Sequence, residues 1–285
     1  MSLEQVAARL SAVDVFVLHR VGEDRFVNID GVGRGAGWAG NIDIAPASEP
    51  WLTRVHQDGL LRTRYPMPHR VFGPYWSAET AGVSLGDHLV VFGGQGVATT
   101  DDQELVGAAR SAVAMVEEVP VAKRLADELE VTQAALEIAQ MRHGDLAEAA
   151  SAIATAAARA TSCEFGAVLL YGPPVSLHLA AEGWRPSATD DEIITALMPL
   201  AQAITGGLLV EQDTASSAFP YRPLAFQDGL VARCAVPLGE DGGLGALVVA
   251  HSIESPRGFT MLCQRVMKTV ADAAVPVLGE LVASS

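Results

Sequence analysis

The feature that most constrains this chain is a repeated order of elements on either side of a helical segment. From about Asp145 to the C-terminus the residues read as helix, strand, strand, helix, strand, hairpin and helix. From about Leu10 to Glu118 a looser version of the same order precedes it. Between the two, Val121 to Met141 is rich in Ala, Leu, Glu and Lys. A chain of 285 residues with this pattern is expected to build two cores rather than one.

Composition supplies the material and excludes some partners. Hydrophobic residues make up 49% of the chain and charged residues 19%. Up to Glu118 there are 9 Lys and Arg against 15 Asp and Glu; beyond it, 10 against 19. Both halves are acidic, whereas nucleic-acid binding needs a basic face. The three cysteines, Cys163, Cys234 and Cys263, are far apart and show no metal-ligand spacing, so they read as buried structural thiols in a reducing compartment. The first residues lack a charged-then-apolar pattern, and the apolar runs have strand length, so a soluble cytoplasmic chain is expected.

In the first half, Leu3 to Leu10 reads as a short helix, Val13 to His19 as a strand, and Phe26 to Gly31 as its partner. The glycines between Gly31 and Gly37 invite a phosphate-loop reading, but no helix follows them and there is no Lys-Ser or Lys-Thr pair. A flexible surface turn is the expectation there. Glu49 to Gln57 reads as a helix with Pro50 in its first turn. Gly59 to Tyr65 and His69 to Tyr75 read as extended, and Leu89 to Phe92 as a buried strand. Thr100 offers an N-cap to a helix running through Leu105 to Val116.

Pro120 should end or kink the helical pattern. After it, Leu125, Leu129, Thr132, Leu136 and Ala139 recur at alternating spacings of four and three, a heptad-like seam suited to a homodimer. A second stripe of Val131, Ala134, Ile138 and Met141 lies on another face. In the second half, Asp145 can cap a helix over Leu146 to Ala160. Strands follow at Glu164 to Tyr171 and Val175 to Ala181. Asp190 to Ile204 has helical spacing, and Pro199 within it predicts a kink or a two-part helix. Strands at Leu208 to Glu211, Leu230 to Leu238 and Leu244 to His251 precede a closing helix over Phe259 to Val282.

Ala158 to Leu170 (ARATSCEFGAVLL), Leu208 to Asp213 (LLVEQD), Val231 to Gly239 (VARCAVPLG), Gly245 to His251 (GALVVAH) and Phe259 opening the last helix together resemble a GAF domain. The first half is similar, but more divergent. Its Leu89 to Phe92, Gly93-Gly94 and Thr100-Asp101-Asp102 mirror the end of the second copy, while its glycine stretch and Tyr65 to His69 depart from it. The connector after Pro120 is similar to linkers in actinobacterial multidomain sensors. The resemblance implies an α+β chain of two GAF-like domains at 1–118 and 145–285. Each would be an antiparallel sheet with helices packed on one face, the two joined by a long connector helix at 119–144. It also implies a small-molecule pocket on the other sheet face, and a sensory role without catalysis. Such modules control output domains, and no diguanylate cyclase, kinase or ANTAR signature is found here, which leaves a stand-alone binding protein or a piece of something longer.

The expected pocket residues are Trp38, Trp51, Tyr65, His69, Tyr75 and Trp76 in the first half, and His178, Trp184, Phe219, Tyr221 and Arg233 in the second. An aromatic lining suits a planar or apolar ligand of unknown identity. The competing reading of the same aromatics is ordinary core packing. Haem held by His56, His69 or His178 is an alternative that rests on single histidines without a motif. The expected dimer seam is Leu125, Leu129 and Leu136. Two other classes stay open: a structural dimerisation module with vestigial pockets, and a thiol-based reductase of the free-methionine sulfoxide reductase type. Cysteines unpaired in sequence speak against the latter.

Overall fold

A computed structural model describes residues 2–22, 25–116, 121–141, 144–204, 207–216 and 229–284. The chain divides into two units, Met1–Leu125 and Ala126–Ser285.

Unit 1 begins with α1 (Leu3–Arg9), closed by a capping box between Ser2 and Gln5. Strands β1 (Asp14–Val21) and β2 (Arg25–Val32) form a hairpin. A single turn, α2 (Arg34–Gly37), and a short strand, β3 (Asp43–Ile44), lead to α3 (Pro50–Asp58), which carries Pro50 at its first position. Then come β4 (Leu60–Phe72), β5 (Tyr75–Leu85), β6 (His88–Gly93) and α4 (Asp102–Ala114). All pairings are antiparallel, in the order β3-β2-β1-β6-β5-β4.

The central strands of this sheet are apolar on both sides because both faces are covered. Val15, Val17, Val90 and Phe92 face α1 and α4, packing with Val6, Leu10, Leu105 and Ala109. Phe16, Leu18, Leu89 and Val91 face α3, packing with Trp51, Leu52 and Val55. Two expectations are corrected here. The cap of α4 is Asp101, whose carboxylate accepts from the amides of Gln103 and Glu104, and not Thr100. The stretch from Gly31 to Gly37 is a close-packed crossing, not a flexible turn. A Cβ on Gly35 would lie 1.7 Å from the carbonyl oxygen of Val15, and one on Gly31 would lie 1.9 Å from it. Only glycine lets the two backbones approach this far. Arg34 pins the crossing: its backbone amide and side chain both donate to Asp14, and its Nη1 donates to the Trp76 carbonyl.

The helix α5 (Val121–Ala139) follows; Pro120 itself lies outside the described residues. Asp127, Ala134 and Ile138 of α5 are buried, whereas Leu125, Leu129 and Leu136 are 59%, 55% and 53% exposed.

In unit 2, Asp145 caps α6 (Leu146–Ala160) by accepting from the Ala147 amide. Then follow β7 (Phe165–Leu170), β8 (Ser176–Leu179), α7 (Asp190–Ala203), β9 (Leu209–Glu211), β10 (Leu230–Leu238), β11 (Gly245–Ser252) and α8 (Met261–Ser284). The sheet is again antiparallel, ordered β8-β7-β11-β10-β9. With β3 set aside and each unit's strands numbered afresh, both sheets run 2-1-5-4-3. The repeat is therefore one of topology. Helices α6 and α8 pack together on one face, and α7 covers the other with Ile193, Leu197 and Leu200. Pro199 sits inside α7, which runs as one helix with a Thr189–Glu192 capping box, rather than as two parts. Pro237 in β10 lies beyond the residues that pair with β9, where no neighbouring strand needs its missing N–H.

Candidate functional site

Among the described residues, the face of the unit 2 sheet beneath α7 carries an ion pair from its strands, Arg233 and Glu211. Ala235, Ala246, Val248 and Ala250 form its apolar floor with Phe165, Ala167 and Leu169. Arg233 stands directly opposite Ala250 in the ladder and opposite Glu211 on its other side, so it shares this face. Its side chain is 1% exposed, and its Nε pairs with the Glu211 carboxylate. Taking a guanidinium out of water is costly unless a partner compensates, and Glu211, itself mostly buried, does so. Trp184 lies at the rim of the same face, its ring 6.1 Å from that of Phe165.

His178 does not join them. It pairs with Val168, while its neighbours Leu177 and Leu179 pack on the α7 side, so its ring lies on the opposite face. There its Nε2 contacts the Ser176 hydroxyl at 3.0 Å, and burial pulls its pKa below 6.5 against the pull of Asp145. Phe219 and Tyr221 lie outside the described residues.

In unit 1, Trp38, Trp51 and Tyr75 are brought together in one packed hydrophobic cluster. The Phe16 ring lies 4.5 Å from Tyr75, 5.1 Å from Phe72 and 6.0 Å from Trp38. Trp51 packs with them and donates its indole N–H to Thr63 at 3.2 Å. Trp76 is buried outside that cluster. Tyr65 and His69 sit apart from it, ring against ring at 3.9 Å, on a bulge of β4. Beside this bulge opens a cleft of about 610 Å³, lined by Arg64, Tyr65, Pro66, Ser77, Ala78, Glu79, Gly94 and Gln95.

A second polar cluster escaped the sequence reading. On the α6/α8 face of unit 2, Glu164 accepts from the Ser252 amide at 2.9 Å and from Arg257 at 3.1 Å, and lies 3.4 Å from His251 Nδ1. Burial pulls the Glu164 pKa up, but the hydrogen bonds and the His251 ring outweigh it and bring it from 4.5 to about 2. His251 Nε2 lies 3.6 Å from Cys163 Sγ, and burial lowers the His251 pKa. The fold also brings the three cysteines into mutual range. Burial raises the Cys163 and Cys234 thiols, and the neighbouring Cys263 adds to both shifts. Residues so distant in sequence offer no spacing from which this cluster could have been read. An upward shift favours the protonated form of Cys163 and Cys234, and the thiolate is the reactive form. Among the described residues, no group of three or more His, Cys, Asp and Glu side chains is placed to hold a metal ion. No described helix is long and apolar enough to cross a membrane.

No family model and no curated protein matches this chain. Solved structures do, at low identity. The GAF domain of an Acinetobacter phosphoenolpyruvate-protein phosphotransferase is 16% identical, with 55% of this chain and 94% of that chain covered and a TM-score of 0.44. The free methionine-R-sulfoxide reductase of Neisseria meningitidis, in complex with its substrate, is also 16% identical, covering 56% of this chain and 92% of that one at a TM-score of 0.41. The chromophore-binding domain of an unusual bacteriophytochrome from R. palustris covers 95% of this chain and 94% of its own, at 11% identity and a TM-score of 0.41. The chain thus bears a remote likeness to GAF-domain folds, at a level that speaks to neither ligand nor activity.

Proposed function

We propose that this chain is a small-molecule-sensing regulatory module of the tandem GAF type. On this reading it has no catalysis of its own, and it relays ligand occupancy through the connector helix α5 (Val121–Ala139). The observation that carries the proposal is the buried Arg233–Glu211 pair on the α7 face of unit 2, the face whose apolar cluster Trp184 also packs against. An apolar surface with an oriented ion pair is the chemistry of a selective small-molecule site. His178, on the opposite face, takes no part in it.

The leucines of α5 are assigned to a second copy of the chain. Leu125, Leu129 and Leu136 are exposed at heptad spacing, and a parallel pairing sets Glu128 against Gln133 of the other helix, with no like charges opposed. The acidic surface of both halves fits a cytoplasmic protein that does not bind nucleic acid.

A second reading, a dimerisation module with vestigial pockets, is favoured by the packing of the unit 1 aromatics against one another. A thiol-based reductase is disfavoured by the protonated state that burial imposes on Cys163 and Cys234. Native mass spectrometry and an absorbance spectrum of the purified chain separate the first two. Sensing predicts a consistent co-purifying small molecule; two empty units would remove the proposal.

A further inference from the structure

We propose that unit 1 carries a separate binding site for a small organic anion with a flat apolar body, in the cleft between the β4 bulge and the loop after β6. The inference rests on the sensing reading only in treating this chain as a ligand binder; it concerns a different unit and different residues.

The bulge creates the site. Arg64 pairs with Glu79 and His69 with Ser77, so Tyr65, Pro66, Met67 and Pro68 together stand against Ala78 alone. Bulges re-aim side chains and recur beside functional sites. Tyr65, braced by His69, projects at the surface and is 48% exposed. The two prolines give the bulge no N–H at those positions, so it is poorly suited to add a peptide strand, although β4 is the sheet edge. A discrete small molecule is the occupant left by that geometry, and about 610 Å³ is ample for one.

The polar groups fix the sign of the ligand. Glu79 is fully engaged: Oε1 pairs with Arg64 Nε at 3.0 Å, and Oε2 accepts from the Gly96 amide at 2.7 Å. Its side chain is 9% exposed, so it offers no seat for a cation. Arg64 is oriented by that contact through Nε and is 66% exposed, which turns its outer edge to the cleft and solvent. A guanidinium held this way matches a carboxylate by two parallel hydrogen bonds. The Ser77 hydroxyl donates to the Glu79 carbonyl, which keeps that donor from the ligand. The Tyr65 ring, Pro66 and Ala78 leave an apolar wall for the body of the anion.

The test uses the full chain and three probes in ligand-observed NMR titrations: benzoate, its neutral counterpart benzamide, and acetate, which lacks the ring. Benzoate is expected to bind at least about tenfold more tightly than either of the others. Arg64→Gln should weaken benzoate by about tenfold, and Tyr65→Ser, at an exposed position that no core depends on, should weaken it by several-fold with unfolding unchanged. Equal binding of benzoate and benzamide would overturn the proposal. So would wild-type binding by both variants, or no benzoate binding at about 10 mM. If the cleft fails while a co-purified molecule still depends on Arg233, the sensing reading stands without it.

Discussion

The hydroxyl of Tyr75 occupies the space that a side chain on Gly93 would need: a Cβ there would lie 1.6 Å from the oxygen. Tyr75 cannot step aside. Its ring is held between Phe16 and Phe72, with the Arg34 guanidinium 4.7 Å above it, and its hydroxyl reaches towards Asp14. Gly93→Ala should therefore destabilise unit 1 by about 2–3 kcal/mol through overpacking. Adding Tyr75→Phe, which removes the clashing oxygen, should recover part of the loss. The resolved indole N–H resonances of Trp38, Trp51 and Trp76 during urea unfolding read the right unit, because these three of the four tryptophans lie in it.

Unit 2 should lose stability in two steps as pH falls. The His251 pKa is lowered in the folded state by burial, so the unfolded chain binds that proton first, and stability declines as pH drops below 6.5. Glu164 follows. Its folded pKa of about 2 lies below 4.5, so its contribution is complete above pH 4.5 and is lost as pH falls through about 2. Urea midpoints followed through the resolved indole N–H resonance of Trp184 between pH 7 and pH 2 measure both limbs. Glu164→Gln should erase the lower one; a curve that keeps it would assign the acid sensitivity elsewhere.

Replacing Leu125, Leu129 and Leu136 by Lys should convert a dimer to a monomer in light scattering, with little change in folded content, since all three are exposed. A chain that stays dimeric with three lysines would place the interface on another surface.

Much of the fold was legible because its central strands are unbroken apolar runs and its helices carry cap residues at the right places. Asp14 to Leu18 and Leu89 to Phe92 announce themselves, as does the hairpin from Leu230 to Ser252. β5 did not. Its sequence, Tyr75 to Leu85, is interrupted by Ser, Ala, Glu and Gly, residues that rarely mark a strand. The tertiary fold selects at least one of them: a Cβ on Gly82 would lie 2.6 Å from the Trp51 ring. The prolines of β4 broke one long strand into two expected segments because a wide bulge has no local signature. Of the site, Arg233 was named from position. Its separation from His178 needed the ladder register, which decides the face. The Cys163–His251 and Glu164–Ser252 contacts join residues 88 positions apart, and no spacing rule reaches that far.

Arg233 and Glu211 should be worth little as a pair and much as individuals. Arg233→Met alone leaves a mostly buried carboxylate without this partner and should cost about 3–5 kcal/mol, whereas Arg233→Met with Glu211→Leu should restore most of that stability. Thermal unfolding of the three proteins gives the comparison. The double variant then provides a folded unit 2 whose polar anchor is gone.

That variant allows the most direct test of the central claim, that occupancy of unit 2 is felt by the connector. Amide hydrogen exchange across residues 126–139 of α5 is measured in the chain as purified and in the Arg233→Met/Glu211→Leu variant. The account predicts a change in protection of about tenfold along α5, accompanied by loss of any co-purified molecule. Identical protection in the two proteins, with the molecule lost, would contradict it.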